Sequence, residues 1–293
     1  MQTNTILHAD NLTALREIPD STVDLVYCDP PFNTGRDFGE YSDNPDVEKA
    51  ENLAFEHQQF QWLQGILSPK QTLYFQSVIP RIIEIHRILK PTGALYWHCD
   101  YKTNAYIRLI LNQVFGQPQF RNEIVWSYKS TAVYDAIKHC WKNNLDNILF
   151  YAKPKHEFQP QYRPLTYKQE REQYPYTDSK GRKYRHRRDT GAPSLYDSRE
   201  YADENRGSRI ETTWTDILIA QAKERTGYPT QKPLALLKRI IQASSKEGQI
   251  VLDPYCGSGT TLIAAKQLGR KYIGIDENAE AIFIAKKRLD MVK

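Results

Sequence analysis

A strand–loop–helix–strand unit near the carboxyl end of this 293-residue chain limits the folds that the chain can adopt. Residues 250–252 have the composition of a buried strand, residues 260–268 have the apolar spacing of a helix, and residues 272–275 form a second strand candidate. Gly269 follows the helix and ends it. Two strands that are joined through one helix pair in parallel, because the helix packs back onto the sheet. The unit therefore predicts an α/β domain with a parallel sheet.

Helix and strand candidates alternate in the same way over much of the chain. The strand candidates are residues 5–8, 23–28, 94–99, 123–126 and 147–151, and the helix candidates are residues 11–18, 71–89, 103–115, 234–244 and 279–291. Alternation at this spacing is typical of a sheet that helices cover on both faces. We predict a mostly parallel, doubly wound α/β sheet, in which the Pro-Thr-Gly segment at residues 91–93 ends the second helix.

The charge of the chain is concentrated in one region. The whole chain has 40 Lys and Arg against 35 Asp and Glu, and its net charge of +5 does not by itself indicate a nucleic-acid partner. Residues 153–188, however, carry 11 Lys and Arg against four Asp and Glu. The wider region 153–227 also lacks long apolar periods. We therefore predict one α/β domain from residues 1–152 and 228–293, with residues 153–227 inserted between its two parts.

Cysteine spacing and hydropathy exclude several classes of protein. The four cysteines are far apart and form no C-x-x-C pair, so we expect neither a disulfide framework nor a bound metal. The sequence has no charged-then-apolar leader and no apolar run as long as a membrane span. We expect a cytoplasmic protein without a membrane partner.

The loop after the strand at residues 250–252 has the features of a ligand site. In open α/β sheets, ligands bind outside the carboxyl ends of the strands. Gly257 and Gly259 allow a ligand close to the backbone, and Asp276 ends the following strand, where an acid can accept the hydroxyls of a ribose. Leu262 stands at the third glycine of the G-x-G-x-x-G dinucleotide pattern, and the Gly-Lys-Ser/Thr of a P-loop is absent.

Asp253 begins this loop. A carboxylate there repels a pyrophosphate and suits a cationic amino group. An adenosine with an amino-acid tail, S-adenosylmethionine, therefore fits the loop better than NAD does. The alternative is an ordinary turn between a strand and a helix, in which the glycines serve only the bends.

A second turn, Asp29-Pro30-Pro31-Phe32, follows the strand candidate at residues 23–28. The prolines fix φ and remove two N–H donors, so the turn presents a carboxylate and free carbonyls with little local motion. Asp29 and the carbonyl of Pro30 can accept the two hydrogens of an exocyclic amino group, and Phe32 can stack on a planar base. Such acceptors aim the nitrogen lone pair at a methyl donor. Alone, the tetrapeptide indicates only a turn.

The two motifs together resemble those of the DNA amino-methyltransferases, which modify adenine N6 or cytosine N4. In that family the catalytic motif is Asp, Asn or Ser followed by Pro-Pro and an aromatic residue, and the cofactor motif is commonly Asp-Pro-Phe-x-Gly-x-Gly-Thr. In this chain the catalytic motif comes first, the basic region second and the cofactor motif last. That permuted order resembles the β group of the family. It implies a Rossmann-like methyltransferase fold, with Asp29, Pro30, Pro31 and Phe32 as the catalytic residues.

The resemblance also implies a set of residues that bind S-adenosylmethionine. They are Asp10, Thr230, Lys232, Asp253, Tyr255, Cys256, Gly257, Ser258, Gly259, Thr260 and Asp276. Thr230 and Lys232 are expected to hold the carboxylate of the cofactor, and Asp10 is expected near its adenine. A cap for the helix at residues 11–18 is an equally good interpretation of Asp10.

Two other segments resemble parts of the family. Asn33-Thr34-Gly35 resembles a mobile loop that follows the catalytic motif. Trp126 and Tyr128 belong to a segment that lines the pocket of the target base in relatives, but a place in the core is the interpretation that we favour for both.

DNA is the partner that the basic region suggests. A base inside a duplex cannot reach Asp29 and a bound cofactor together, so double-stranded DNA has to present the target base flipped out. The inserted region corresponds to the target recognition region of relatives, and its cations suit contacts with phosphate or guanine. The candidate DNA-binding residues are Lys180, Arg182, Lys183, Arg185, Arg187 and Arg188. For any one of them, a solvated surface cation is the alternative.

The resemblance implies site-specific methylation of adenine N6 in DNA, with S-adenosylmethionine as the methyl donor. Asp29 favours adenine, because cytosine-N4 enzymes often have Ser at that position; cytosine-N4 methylation is the alternative. Leu262 disfavours an NAD-dependent dehydrogenase, and the paired motifs disfavour a non-enzymatic DNA-binding protein. The long basic insertion disfavours an enzyme that acts on RNA or a protein amide. A cognate restriction endonuclease and a homodimer are the further partners that the family suggests.

Overall fold

The computed structural model describes residues 2–31, 60–63, 65–128, 141, 143–186 and 199–292, together with the backbone of residues 37–38, 41–42 and 58–59. The strands are β1 (Thr5–His8), β2 (Val23–Cys28), β3 (Asp37–Phe38), β4 (Tyr41–Ser42), β5 (Leu89–Cys99), β6 (Phe120–Ser127), β7 (Leu145–Ala152), β8 (Tyr162–Arg163), β9 (Tyr176–Thr177), β10 (Lys183–His186), β11 (Arg199–Tyr201), β12 (Ser208–Arg209), β13 (Thr213–Trp214), β14 (Ile250–Asp253) and β15 (Lys271–Asp276). The α-helices are Asn11–Glu17, Pro69–Ile88, Asn104–Phe115, Tyr167–Gln173, Leu234–Ser244, Thr260–Gln267 and Ala279–Asp290. Short 3-10 helices are Gln58–Leu63, Gln117–Gln119 and Ala202–Glu204.

Eight strands form the central sheet, in the order β1-β15-β14-β2-β5-β7-β6-β13. Neighbouring strands are parallel except at β7, which runs antiparallel to both β5 and β6. The strand–loop–helix–strand unit that limited the possible folds is present as β14, the helix Thr260–Gln267 and β15. The predicted α/β fold with a mostly parallel sheet is confirmed.

The direction of the strands determines which residues share one edge of this sheet. β1, β15, β14, β2 and β5 are parallel to one another, so the residues at their carboxyl ends lie along the same edge, which we call the carboxyl edge. Asp253 ends β14, Asp276 ends β15 and Asp29 follows β2. Because β7 is antiparallel, its amino-terminal end, which includes Asp146, reaches the same edge. The topology thus gathers acidic residues that are far apart in the sequence.

The core lies around the central strands. Every side chain of β2 is buried, as expected for a strand that is covered on both faces. The long helix Pro69–Ile88 begins with a capping box in which Ser68 and Gln71 satisfy each other's backbone N–H groups. Its apolar residues, among them Phe75 and Ile79, are fully buried in the same cluster as the strand residues.

The end of this helix differs from the sequence prediction. A break was expected at residues 91–93, but the helix ends at Ile88 and β5 begins directly after it. The pairing of β2 with β5 starts at Val23 and Leu89 and then shifts register. A β carbon at Gly93 would lie 3.0 Å from the carbonyl oxygen of Lys90 and 3.1 Å from that of Val23, so a larger residue would require these neighbours to shift. The proline and glycine therefore lie in an irregular first part of a strand.

The chain divides into two compact units. One consists of residues 1–159 with 212–293, and the other of residues 160–211. The smaller unit contains fewer residues than the insertion expected at residues 153–227. The strand β7 extends to the start of that range, and β13 near its end pairs with β6 of the central sheet. Two residues of strand were too short a signal to predict β13 from the sequence.

Within the smaller unit, β9, β10 and β11 form an antiparallel sheet, and β8 pairs with β12. The helix Tyr167–Gln173 begins with a capping box between Thr166 and Gln169. The sequence analysis missed this helix because its seven residues, YKQEREQ, contain no apolar period. Its boundary signal, a Thr followed three residues later by Gln, was present.

Within the described residues, no helix has the length and apolar content needed to cross a bilayer. No group of three or more His, Cys, Asp or Glu side chains in this part of the chain is arranged to hold a metal ion. Cys28, Cys99 and Cys256 are buried free thiols, and Cys140 lies outside the described residues.

Candidate active site

The predicted catalytic turn lies at the carboxyl edge, directly after β2. Asp29 is mostly buried, with 14% of its side chain exposed, and Pro30 is buried behind it. Oδ2 of Asp29 lies 2.6 Å from Nζ of Lys232. Pro31 is partly buried, and Phe32 lies outside the described residues. One carboxylate oxygen therefore meets a cation of the chain itself, and the other can accept from a substrate donor.

Lys232 lies among several carboxylates. Burial alone would lower the pKa of Lys232, but Asp29, Asp146 and Asp253 raise it above its ordinary value. Its side chain is only 15% exposed, so the ion pair with Asp29 has little contact with solvent. The ammonium is therefore charged at neutral pH and is held by the acids of the carboxyl edge.

The segment before Lys232 is fixed by side chains that the sequence analysis did not single out. Oε1 of Gln231 accepts from both the N–H and the hydroxyl of Thr226, at 2.9 Å each, and its amide donates to the carbonyl of Glu224 at 2.8 Å. The carboxylate of Glu224 in turn accepts from the N–H of Leu234, the first residue of the following helix. Thr230, which was predicted to bind the cofactor, is exposed beside this segment.

Asp253 is oriented by its own loop. Its Oδ1 accepts from the N–H of Tyr255 at 3.0 Å, and its Oδ2 accepts from the hydroxyl of Thr261 at 2.5 Å. Only 2% of the residue is exposed. Burial, together with the neighbouring carboxylates of Asp29 and Asp276, raises the pKa of Asp253 to about 7. Its protonation therefore changes within the physiological pH range.

The two glycines of the loop have conformations that other residues rarely adopt. Gly257 has φ +48° and Gly259 has φ +79°. A β carbon at Gly257 would lie 3.1 Å from the ring of Tyr228, and one at Gly259 would lie 2.7 Å from the β carbon of Ala285. The N–H of Gly257 donates to Oδ2 of Asp276 at 2.8 Å, and burial raises the pKa of that carboxyl. The loop and the acid at the end of β15 are thus connected directly.

The other predicted residues of the loop are held by the surrounding fold. The N–H of Cys256 donates to the carbonyl of Ile275 at 3.0 Å, and burial of its thiol raises the pKa. Arg288, in the last helix, donates to the carbonyl of Ser258 at 2.6 Å and to the hydroxyl of Thr260 at 3.1 Å. Arg288 was not predicted, because nothing in its helical sequence marks it as a partner of the loop.

Asp10 caps the helix Asn11–Glu17, which was one of its two interpretations. Its Oδ1 accepts from the N–H of Thr13 at 2.8 Å, and its Oδ2 accepts from Arg81 at 2.8 Å. Arg81 also donates to the side chain of Asn11, whose amide donates to the carbonyl of Pro254 at 2.9 Å. A buried polar chain therefore connects Asp10 with the cofactor loop. The capping role does not test whether Asp10 also contacts the cofactor, so that contact stays a prediction.

A second buried polar chain begins beside Asp29. The hydroxyl of Tyr27 lies 2.8 Å from Nδ1 of His98, and Nε2 of His98 lies 3.1 Å from Oδ2 of Asp146. Tyr27 and His98 are fully buried, and burial is the main cause that raises the pKa of Tyr27. Trp126 is buried against His98, and burial and Asp146 raise the pKa of Tyr128 to about 12. Tyr27, His98 and Asp146 come together because β7 is antiparallel to β5, and the sequence carried no signal of that direction.

A profile of the N6/N4 DNA methylase family matches residues 23–287, which include both motifs. The chain belongs to this family of DNA methyltransferases. The resemblance predicted from the two motifs is confirmed at the level of the family, and so is S-adenosylmethionine as the cofactor, since the methyltransferases of this family use it.

Similar proteins cover almost the whole of this DNA methyltransferase. The type II methyltransferase M.HpaI of Haemophilus parainfluenzae is 33% identical over 97% of the chain and 74% of its own length. The DNA adenine methyltransferase YhdJ of Escherichia coli (strain K12) is 30% identical over 99% of the chain and 84% of its own length. The crystal structure of the M1.HpyAVI–SAM complex shares the fold, with a TM-score of 0.53 at 20% identity over 97% of this chain and 99% of that one.

The residues of the methyltransferase at its carboxyl edge fit S-adenosylmethionine. The cofactor is a sulfonium with an ammonium, a carboxylate and two ribose hydroxyls. The acids Asp253 and Asp276 have the chemistry to accept from the ammonium and the hydroxyls, and the glycines between them expose the backbone. A side chain at Gly257 would fill the space beside Tyr228. The donor set and the shape of the loop therefore agree with this cofactor.

The DNA-binding candidates belong to the smaller unit of the methyltransferase, and several of them already have acidic partners there. Arg182 donates to Asp203 at 2.8 Å and to Glu204 at 2.9 Å. Arg185 makes a two-pronged contact with Glu200, and Lys183 lies 3.4 Å from Glu170. Lys180 is exposed in the turn between β9 and β10, whereas Arg187 and Arg188 lie outside the described residues. These ion pairs were not predicted, because a count of charged residues does not show which of them lie close together.

Proposed function

We propose that this DNA methyltransferase transfers a methyl group to the exocyclic N6 of an adenine that is flipped out of double-stranded DNA. The observation that carries the proposal is the position of Asp29. Its carboxylate lies at the carboxyl edge, one oxygen is fixed by Lys232, and the next residue is a buried proline whose carbonyl is a second acceptor. Two acceptors of this kind match the two hydrogens of an exocyclic amino group.

Adenine is preferred to cytosine for two reasons. The relative YhdJ, which is similar over 99% of the chain, is named a DNA adenine methyltransferase. The catalytic motif also begins with Asp29, where cytosine-N4 enzymes of the family often have Ser. Methylation of cytosine N4 is the alternative, because cytosine offers a similar amino group and the family includes both activities.

The chain's own residues divide the work at the carboxyl edge. S-adenosylmethionine, when bound, supplies an activated methyl group on a sulfonium that is a good leaving group. Asp253 and Asp276 would hold its ammonium and its ribose, and the loop from Tyr255 to Thr260 would lie against it. Asp29 and the carbonyl of Pro30 would accept from the target amino group and aim its lone pair, and the carboxylate of Asp29 would take the proton that the nitrogen loses.

The rest of the prediction concerns DNA and partners. The region at 153–227, with the unit at residues 160–211 as its compact part, would recognise the target sequence. The motif order in this chain supports the β group, in which a homodimer is expected. The name of M.HpaI, a type II methyltransferase, supports a restriction–modification system with a cognate endonuclease.

The proposed function is tested by identifying the product. Unmethylated DNA is treated with the protein and S-adenosylmethionine, digested to nucleosides and analysed by mass spectrometry. We expect N6-methyl-2′-deoxyadenosine from the wild type and none from D29N, which keeps the shape of the side chain but loses its charge. N4-methyl-2′-deoxycytidine would support the alternative, and the absence of any methylated nucleoside would contradict both. Methylation-sensitive sequencing of the same DNA gives the recognition site.

A further inference from the structure

The ion pair between Lys232 and Asp29 is unexpected for the role that the sequence gave to Lys232. The resemblance placed this ammonium on the carboxylate of S-adenosylmethionine. In the structure, Nζ of Lys232 lies 2.6 Å from Oδ2 of Asp29, the residue proposed to meet the target base. Both side chains are about 85% buried, so water competes little for either charge. The contact joins the segment before the helix Leu234–Ser244 to the end of β2.

The charges around this pair favour its present arrangement. Asp146 and Asp253 also face the ammonium, and Asp146 is oriented by His98 through a contact of 3.1 Å. Burial would raise the pKa of Asp146, but its hydrogen bond with His98 and the charges of His98 and Lys232 lower it. Asp146 is therefore ionised, and its charge acts on Lys232 together with that of Asp29.

We infer that Lys232 is a positioning residue for methyl transfer, which fixes Oδ2 of Asp29 so that Oδ1 faces the amino group of the target base. This inference rests on the proposed function. A carboxylate held through one oxygen by a buried ammonium cannot rotate freely. This fixed orientation is needed if Asp29 is to accept from the amino group and aim its lone pair. Asp146, which contacts His98 and through it Tyr27, adds a second negative charge that acts on Lys232.

This role differs measurably from that of a cofactor ligand. Removing a ligand of S-adenosylmethionine weakens binding of the cofactor, and saturation with the cofactor restores the rate. Removing a positioning residue lowers the rate at saturation and leaves the affinity for the cofactor nearly unchanged.

The test uses the full-length protein and the variants K232M, K232R and D146N. The rate of a single turnover is measured with saturating DNA and S-adenosylmethionine, and the affinity for S-adenosylmethionine is measured by calorimetry. K246M is the matched control, because Lys246 makes an equally short contact of 2.6 Å with Glu157, but on the exposed surface. The melting temperature of each variant identifies any that fails to fold.

We expect K232M to lower the rate about 100-fold and to change the affinity for S-adenosylmethionine less than about threefold. K232R should recover part of the rate, because it keeps the charge, and D146N should lie between wild type and K232M. K246M should match the wild type. A restored rate at saturation with weaker cofactor binding would overturn the inference, and so would an unchanged rate. A wild type that methylates no DNA would instead contradict the proposed function.

Discussion

The carboxyl edge and the unit at residues 160–211 both contain residues that the sequence singled out, but these residues have different surroundings in the two regions. At the carboxyl edge, Asp29, Asp253 and Asp276 lie at the ends of parallel strands, as expected from their positions after buried strands. In the smaller unit, Arg182 and Arg185 were chosen for their charge, and both already contact acidic residues of that unit. A position in a sheet is fixed by backbone direction, whereas a count of charges says nothing about their partners.

The first way to sharpen this comparison is to remove a charge from the carboxyl edge, where we expect the largest effect. D253N keeps the size of the side chain and its acceptor for the N–H of Tyr255. We expect the affinity for S-adenosylmethionine to fall roughly 10- to 100-fold at pH 8, because the variant loses a charged partner for the ammonium. Calorimetric titration at pH 6, 7 and 8 measures the change.

The pH dependence gives this prediction its control. The pKa of Asp253 is raised by burial to about 7, so the folded protein keeps a proton that the unfolded chain releases near pH 4. The stability of the wild type should therefore decrease from about pH 4 to pH 7, and D253N should melt at a higher temperature than the wild type at pH 8. Wild-type affinity for the cofactor should rise through pH 7, and that of D253N should stay flat. Equal losses of affinity at pH 6 and pH 8 would contradict the role given to Asp253.

Most elements of the fold could be predicted because each has a local signal. The strands before Asp29, Asp253 and Asp276 and the helices Leu234–Ser244 and Thr260–Gln267 have apolar periods. Proline or glycine marks the end of three of them, at Pro30, Pro254 and Gly269. The helix Tyr167–Gln173 lacks such a period, because it buries no residue. Its only signal was the capping pair, which does not by itself distinguish a helix from a turn.

The part of the site that the sequence did not predict depends on the direction of the strands and on contacts between residues that are far apart in the chain. Asp146 lies at the start of a strand, so it reaches the carboxyl edge only because β7 is antiparallel, and a periodic apolar pattern is the same in either direction. Lys232 was singled out as a residue that holds the cofactor, but its contact with Asp29 depends on how the two ends of the chain meet in the sheet. Arg81 and Arg288 support the cofactor side from helices, where nothing in the sequence distinguishes them from surface residues.

A matched pair of glycines compares the packing of the two regions, with a smaller expected effect. Gly259 at the carboxyl edge and Gly181 in the smaller unit both have φ +79°. A β carbon at Gly181 meets nothing within 4 Å, whereas one at Gly259 lies 2.7 Å from the β carbon of Ala285. G181A should cost about 1 kcal/mol of unfolding free energy from the backbone alone, and G259A about 3 kcal/mol, because the contact with Ala285 is added. Denaturant unfolding measures both, and equal costs would contradict the packing described for the loop.

The smallest expected effect concerns the acids of the smaller unit. If Arg182 is a DNA contact, Asp203 and Glu204 compete with the phosphates for it. D203N/E204Q should then tighten binding of duplex DNA about threefold at low salt, and the gain should fade at high salt because these side chains are exposed. D20N/E84Q is the matched control, since Asp20 and Glu84 hold Arg87 in the same way at the amino end of β2, opposite the carboxyl edge. A gain shared by both double variants would mean that only the net charge matters, and no gain in either would mean that Arg182 serves its own unit. A gain confined to D203N/E204Q would mean that Arg182 contacts the DNA and that its acidic partners within the chain limit this contact, whereas at the carboxyl edge the cation Lys232 positions the acid that meets the base.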